Sequence, residues 1–184
     1  MFRLLFATAV LVSALSFAQA QQPSPYRGFE TRAIKALSES EIVDLRAGRG
    51  MRSALAAELN GYPGPAHVLE MAEQLTLTPA QRARVQELFD SMKAETIPLG
   101  EEYVRLESDL DRQFVTQTAT EDSVASTTTA LGRTQGALRN VHLKFHLRVL
   151  QVLTPEQTRR YSKLRGYSSS TGGSQPEHRM LHPH

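Results

Sequence analysis

Apolar positions recur at helical spacing through the middle of the chain. Val85, Met92, Leu99 and Leu106 repeat every seven residues, and Phe89, Tyr103 and Leu110 form a second row four residues on. This phase runs straight through Pro98. A loop would have little reason to preserve it, so the pattern predicts one long helix kinked at Pro98 rather than two helices. A second long pattern runs from about Glu121 to Val152, with Val124, Leu131, Leu138, Phe145 and Val152 as its main stripe and Val141 and Val149 alongside. Near its end Leu143, Leu147 and Leu150 make another apolar face, roughly opposite at ~100° per residue. One face would cover the hairpin partner; the other is left for a second subunit, a ligand or the shorter helices. The polar, cap-rich residues 115–123 between the two patterns read as a turn.

The remaining elements are shorter. Ser38 or Ser40 can cap a helix with Ile42 and Leu45 as its apolar positions. Gly48 and Gly50 interrupt it, leaving a main helix expected near 51–59. Asn60-Gly61-Tyr62-Pro63-Gly64-Pro65 is a dense cluster of breakers and must turn. A short helix is expected from Ala66 to Gln74, and a final one from Leu153 to Leu164. Two of these starts share one device, Leu77-Thr78-Pro79-Ala80-Gln81 and Leu153-Thr154-Pro155-Glu156-Gln157. In each, the Thr hydroxyl can accept from an unpartnered first-turn N–H. The Pro suits the next position. The Gln can reach back to the cap's own N–H, closing a capping box.

Residues 1–20 carry the marks of a signal peptide: Arg3, an apolar run from Leu4 to Phe17, and Ala18-Gln19-Ala20 as the cleavage site. The run is shorter than the ~18–20 residues that span a bilayer. Export with cleavage after Ala20 is therefore expected, followed by a flexible arm over 21–37, a helical domain over 38–166 and a disordered tail over 167–184. There is no Cys, so the core must hold without disulfides. The formal charge of +2 includes Arg3, and acidic and basic residues are interleaved throughout. That pattern suits solvated helix faces and argues against nucleic acid as a partner. No cysteine nucleophile, Gly-x-Ser-x-Gly elbow or His-Glu-x-x-His sequence is present, and no enzymatic role is expected.

The twin Leu-Thr-Pro-x-Gln motifs, the signal peptide and the long hairpin resemble the periplasmic LTxxQ family, which includes Spy and CpxP proteins and the ZraP- and CnrX-type heavy-metal proteins. The run from Arg49-Gly50-Met51 through Ala54-Leu55-Ala56-Ala57-Glu58-Leu59-Asn60-Gly61-Tyr62-Pro63-Gly64-Pro65 resembles a branch described both as chaperones and as heavy-metal sensors. The resemblance implies an all-α, elongated hairpin of about four to five helices, forming an antiparallel cradle-like homodimer. For Spy-like members it implies ATP-independent binding of unfolded periplasmic proteins, with Arg82, Arg84, Arg133, Arg139, Lys144 and Arg148 as candidate basic residues of the surface. Other members partner a membrane sensor protein.

The leading expectation is thus a periplasmic chaperone or envelope-stress adaptor that requires no cofactor. The alternative is a heavy-metal-binding sensor or resistance protein. His142 and His146, four apart on one helix, can present two imidazoles to one Zn, Ni, Co or Cu ion. His67 is the third candidate ligand, and Glu70, Glu73, Glu101, Glu102 and Glu107 are candidate oxygen donors. His178, His182 and His184 form a looser group in the tail.

Overall fold

The computed structural model describes residues 24–167. The signal peptide, most of the tail and its three histidines lie outside the described residues. The all-α expectation holds: among the described residues six helices form, and no strand. They are α1 (Glu39–Arg46), α2 (Leu55–Glu58), α3 (Pro65–Glu70), α4 (Pro79–Val115), α5 (Glu121–Leu150) and α6 (Pro155–Leu164). None is long and apolar enough to cross a membrane.

The antiparallel pair α4 and α5 is the frame. Thr120 caps α5, with its hydroxyl accepting from the Ser123 N–H, and Ser38 caps α1 in the same way through Glu41. α4 continues through Pro98 without interruption. The proline lies on the exposed side of the helix, where its missing N–H costs least. On the opposite side α1 crosses. Thr96 is fully buried there, with its hydroxyl 2.9 Å from the Met92 carbonyl and 3.3 Å from that of Gly48. One turn on, Gly100 lets the Leu45 carbonyl lie so close that a Cβ would stand 2.1 Å from it.

The buried row of α4 therefore includes Leu88, Met92, Thr96, Gly100 and Val104, while Leu99 of the sequence heptad is only half-buried. Two small residues among these five make the groove that receives α1. On α5, Leu131, Leu138, Val141, Phe145 and Val149 are buried. Its second covered face is that of His142 and His146, against α2 and α3, whereas Leu143 and Leu150 are half-buried and Leu147 is exposed.

Two expectations need correction. The arm is docked over its last residues, because Ile34 and Leu37 are buried with Leu45, Val104 and Leu138 in one apolar cluster. The helix expected near 51–59 is only Leu55–Glu58: Gly48 and Met51 take left-handed φ values of 64° and 47°, so the chain turns before α2 can start.

The main cluster joins Val68, Leu75, Val85, Leu88, Val141, Phe145, Val149, Leu153 and Tyr161. The two Leu-Thr-Pro-x-Gln segments meet at its end. Thr78 and Thr154 each close a capping box with Gln81 and Gln157. The same glutamines bind each other: Gln81 Nε2 donates to Gln157 Oε1 at 2.8 Å, and Gln157 Nε2 donates to Gln81 Oε1 at 3.0 Å. The second N–H of each amide goes to a carbonyl across the junction, Val152 O at 2.9 Å and Leu75 O at 3.3 Å.

Gly100→Ala should cost roughly 1–3 kcal/mol by forcing α1 off α4, although alanine is the better helix former. A melting temperature equal to or above the parent's would refute that close approach. Gln81→Ala and Gln157→Ala should each destabilise by about 1–3 kcal/mol, with the double variant costing about 1 kcal/mol less than their sum. Strict additivity in denaturant titrations would show that the two amides act separately.

Candidate functional site

The turn Asn60–Pro65 carries the chain from α2 to α3 across the side of α5. Gly61 supplies the left-handed step at φ 82°, and Pro63 and Pro65 are fully buried. Glycines seat both histidines of α5. A Cβ at Gly50 would lie 2.9 Å from His142 Nδ1, and one at Gly64 would lie 2.9 Å from His146 Nε2. Neither ring is accessible from the outer surface: His142 is 3 % exposed and His146 is 7 %.

His146 Nδ1 lies 2.6 Å from the Tyr62 carbonyl. A carbonyl only accepts, so Nδ1 carries a proton and donates it to Tyr62. Burial, with the neighbouring His146 charge second, pushes the His142 imidazole down to about 4. His142 is therefore neutral at neutral pH. The His142 ring is thus in the form that binds a cation.

The third member is Glu58, the last residue of α2, only 7 % exposed. Its Oε1 accepts from the Tyr161 hydroxyl and from Tyr167 at 3.2 Å, and pairs with Arg165 Nε at 3.4 Å. Its Oε2 is buried without a hydrogen-bond partner, 3.7 Å from His146 Nδ1. A buried carboxylate oxygen in that condition is costly. Glu58, His142 and His146 line one cavity of about 180 Å³ with His67, Met92 and Arg165.

The structure thus brings His142, His146 and His67 to one cavity, with His67 on its rim, 2.9 Å from Glu70. The other acidic candidates lie elsewhere: Glu101 pairs with Arg46 and Glu102 with Arg105, while Glu73 and Glu107 are not among the cavity's lining residues. Thr78, Gln81, Thr154 and Gln157 form the junction described above. Sequence reasoning missed Glu58. The signal was a carboxylate at the end of Leu55-Ala56-Ala57-Glu58, directly before a turn that folds back. Among the described residues no three His, Asp or Glu side chains stand, as they are placed, where they could hold a metal ion together.

His142 gives the metal-free protein a pH dependence. The unfolded chain takes up this proton near 6.5 and the folded chain near 4, so the unfolded state binds more protons in between. The stabilisation is complete above the unfolded value and is lost as the pH falls toward the folded one. Stability should drop by about 2 kcal/mol between about pH 7 and about pH 5 from this group. The drop should shrink in His142→Gln whatever that variant's absolute stability; an identical slope would assign it to other groups.

No curated protein and no solved structure matches the chain. A family model described as LTXXQ motif family protein matches residues 66–165, more than half of the 184 residues. The matched span runs from α3 to the end of α6. It contains both capping motifs, the hairpin, the histidine pair, Tyr161 and Arg165, while Glu58 comes to them from outside it. Carrying both motifs on an all-α hairpin across that span, the chain belongs to the LTXXQ motif family.

Proposed function

We propose that this chain is a periplasmic Spy/CpxP-like protein that senses or buffers a transition-metal cation through His142, His146 and Glu58. The observation that carries this reading is the orphaned Oε2 of Glu58, buried in the same cavity as the two imidazoles of His142 and His146. Two nitrogens and one carboxylate oxygen are a donor set for Zn, Ni, Co or Cu. His67 and the Met92 thioether on the same cavity are further donors within the chain. The Tyr62 carbonyl that fixes the His146 proton is the kind of outer partner that orients a ligating imidazole. Such a cation would give Oε2 the partner it lacks. Since the donors are not yet gathered into a closed set, side-chain rotation would accompany binding.

This order reverses the expectation from sequence, in which the chaperone came first. An exposed leucine is common on any protein, whereas a buried carboxylate without a partner demands an explanation. The client-binding reading retains one supporting observation. Met51, Leu55 and Leu59 are 49 %, 39 % and 56 % exposed, apolar side chains around α2 that unfolded segments would contact. In that reading the protein acts as a dimer without ATP. Export of either kind of protein rests on residues 1–20 and on the family. No enzymatic role is proposed.

Calorimetric titration of the signal-cleaved protein with Zn²⁺, Ni²⁺, Co²⁺ and Cu²⁺ should show one tight site that is lost in His142→Ala and weakened at least about tenfold in Glu58→Gln. Heat unchanged by His142→Ala would belong to another site and remove this reading. Suppression of client aggregation at or below equimolar protein, lost in Leu55→Ser with Leu59→Ser, would favour the client-binding reading instead.

A further inference from the structure

Glu58 faces two ways. Every donor on its Oε1 comes from the C-terminal end of the described chain: Tyr161 in α6, and Arg165 and Tyr167 just beyond it. These donors also hold one another, because Arg165 Nε and one terminal guanidinium nitrogen donate to the Tyr167 hydroxyl at 3.2 and 2.9 Å. Its Oε2 faces the histidine side, 3.7 Å from His146 Nδ1, and accepts no hydrogen bond. Arg165 and Tyr167 reach the histidine cavity as well. Glu58 and Arg165 are thus a nearly balanced pair of charges at its wall.

A divalent cation held by His142, His146 and Oε2 changes that balance. It draws charge from the carboxylate that Tyr161, Tyr167 and Arg165 share. It also sets two positive charges beside the Arg165 guanidinium, where the surroundings screen repulsion poorly. Both effects act in one direction.

We propose that Glu58 is a shared group linking the metal site to a C-terminal latch, so that metal binding releases Arg165 and Tyr167 from Glu58. The inference rests on the metal-binding reading above. It adds that the site has an output, the freeing of the chain after α6. In the closed latch the backbone there is held by short-range bonds, Arg165 N–H to Tyr161 O, Gly166 N–H to Lys163 O and Tyr167 N–H to Ser162 O, at 2.9, 3.1 and 2.9 Å. These amides report directly on the latch.

Linkage requires the effect to run both ways: if metal weakens the latch, removing latch contacts must strengthen metal binding by a matching factor. Two measurements on the full signal-cleaved chain test this, with Zn²⁺ and Ni²⁺ as probes and only the binding lost in His142→Ala counted. Hydrogen exchange at Arg165, Gly166 and Tyr167 should accelerate about tenfold on metal saturation, with amides at the centre of α4 and α5 unchanged. Arg165→Gln and Tyr167→Phe should raise metal affinity, by about tenfold for the arginine. Metal binding with unchanged exchange and unchanged affinity in both variants would overturn the latch and leave the metal reading standing. Slower exchange on loading would overturn it too, since the cation would then be tightening the clamp. Absence of any His142-dependent binding would overturn both.

Discussion

The reciprocal amide pair of Gln81 and Gln157 is the constraint on which the rest of the architecture depends. Each side chain has two N–H donors and an oxygen that accepts twice. Each oxygen serves its own helix cap and the other glutamine, and each nitrogen serves the other glutamine and a carbonyl across the junction. Nothing is left over, which is the condition for a polar group to stand beside a core without penalty. The consequence is positional. The start of α6 is fixed to the start of α4, and α6 is carried back toward α2. Tyr161 then falls into the main apolar cluster with its hydroxyl against Glu58.

Legibility in the sequence follows the range of the interactions. The capping boxes act within four residues, so Thr78 and Gln81, or Thr154 and Gln157, could be assigned on sight. The hairpin was legible because helical phase accumulates over thirty residues and Pro98 does not disturb it. The α1 crossing was not, since it depends on Thr96 and Gly100, which no apolar template counts. That the two glutamines would find each other was also hidden, because 76 residues separate them.

The candidate site was only half legible, for a physical reason. Along α2 hydropathy points the wrong way: Leu55 and Leu59 are exposed, while Glu58 is buried. An isolated amphipathic reading places the leucines inward. The reversal comes from the glycine- and proline-rich turn after α2, which lies on α5 through Gly64 and leaves Glu58 facing His146 and α6. The i,i+4 spacing of His142 and His146 is local and was read correctly as one face. The carboxylate that completes their cavity depends on a contact across 88 residues.

That reversal bears on why a carboxylate stands there at all. A buried ion pair seldom stabilises a fold as much as well-packed apolar side chains of the same volume. Glu58 satisfies three donors with one oxygen and leaves the other unpaired, a condition worse for stability than either a complete network or none. The His142–His146 face is likewise built of imidazoles between Val141 and Val149, positions where leucine would suit the same packing. Two glycines, Gly50 and Gly64, hold backbone against those rings where any larger residue would displace them. Five positions in one cavity, Glu58, His142, His146, Gly50 and Gly64, therefore forgo stability together, a pattern that the proposed capture of a cation would account for. Because Arg165 lines the same cavity and pairs with Glu58, the proposed cation would disturb the contact at the C-terminal end as it entered.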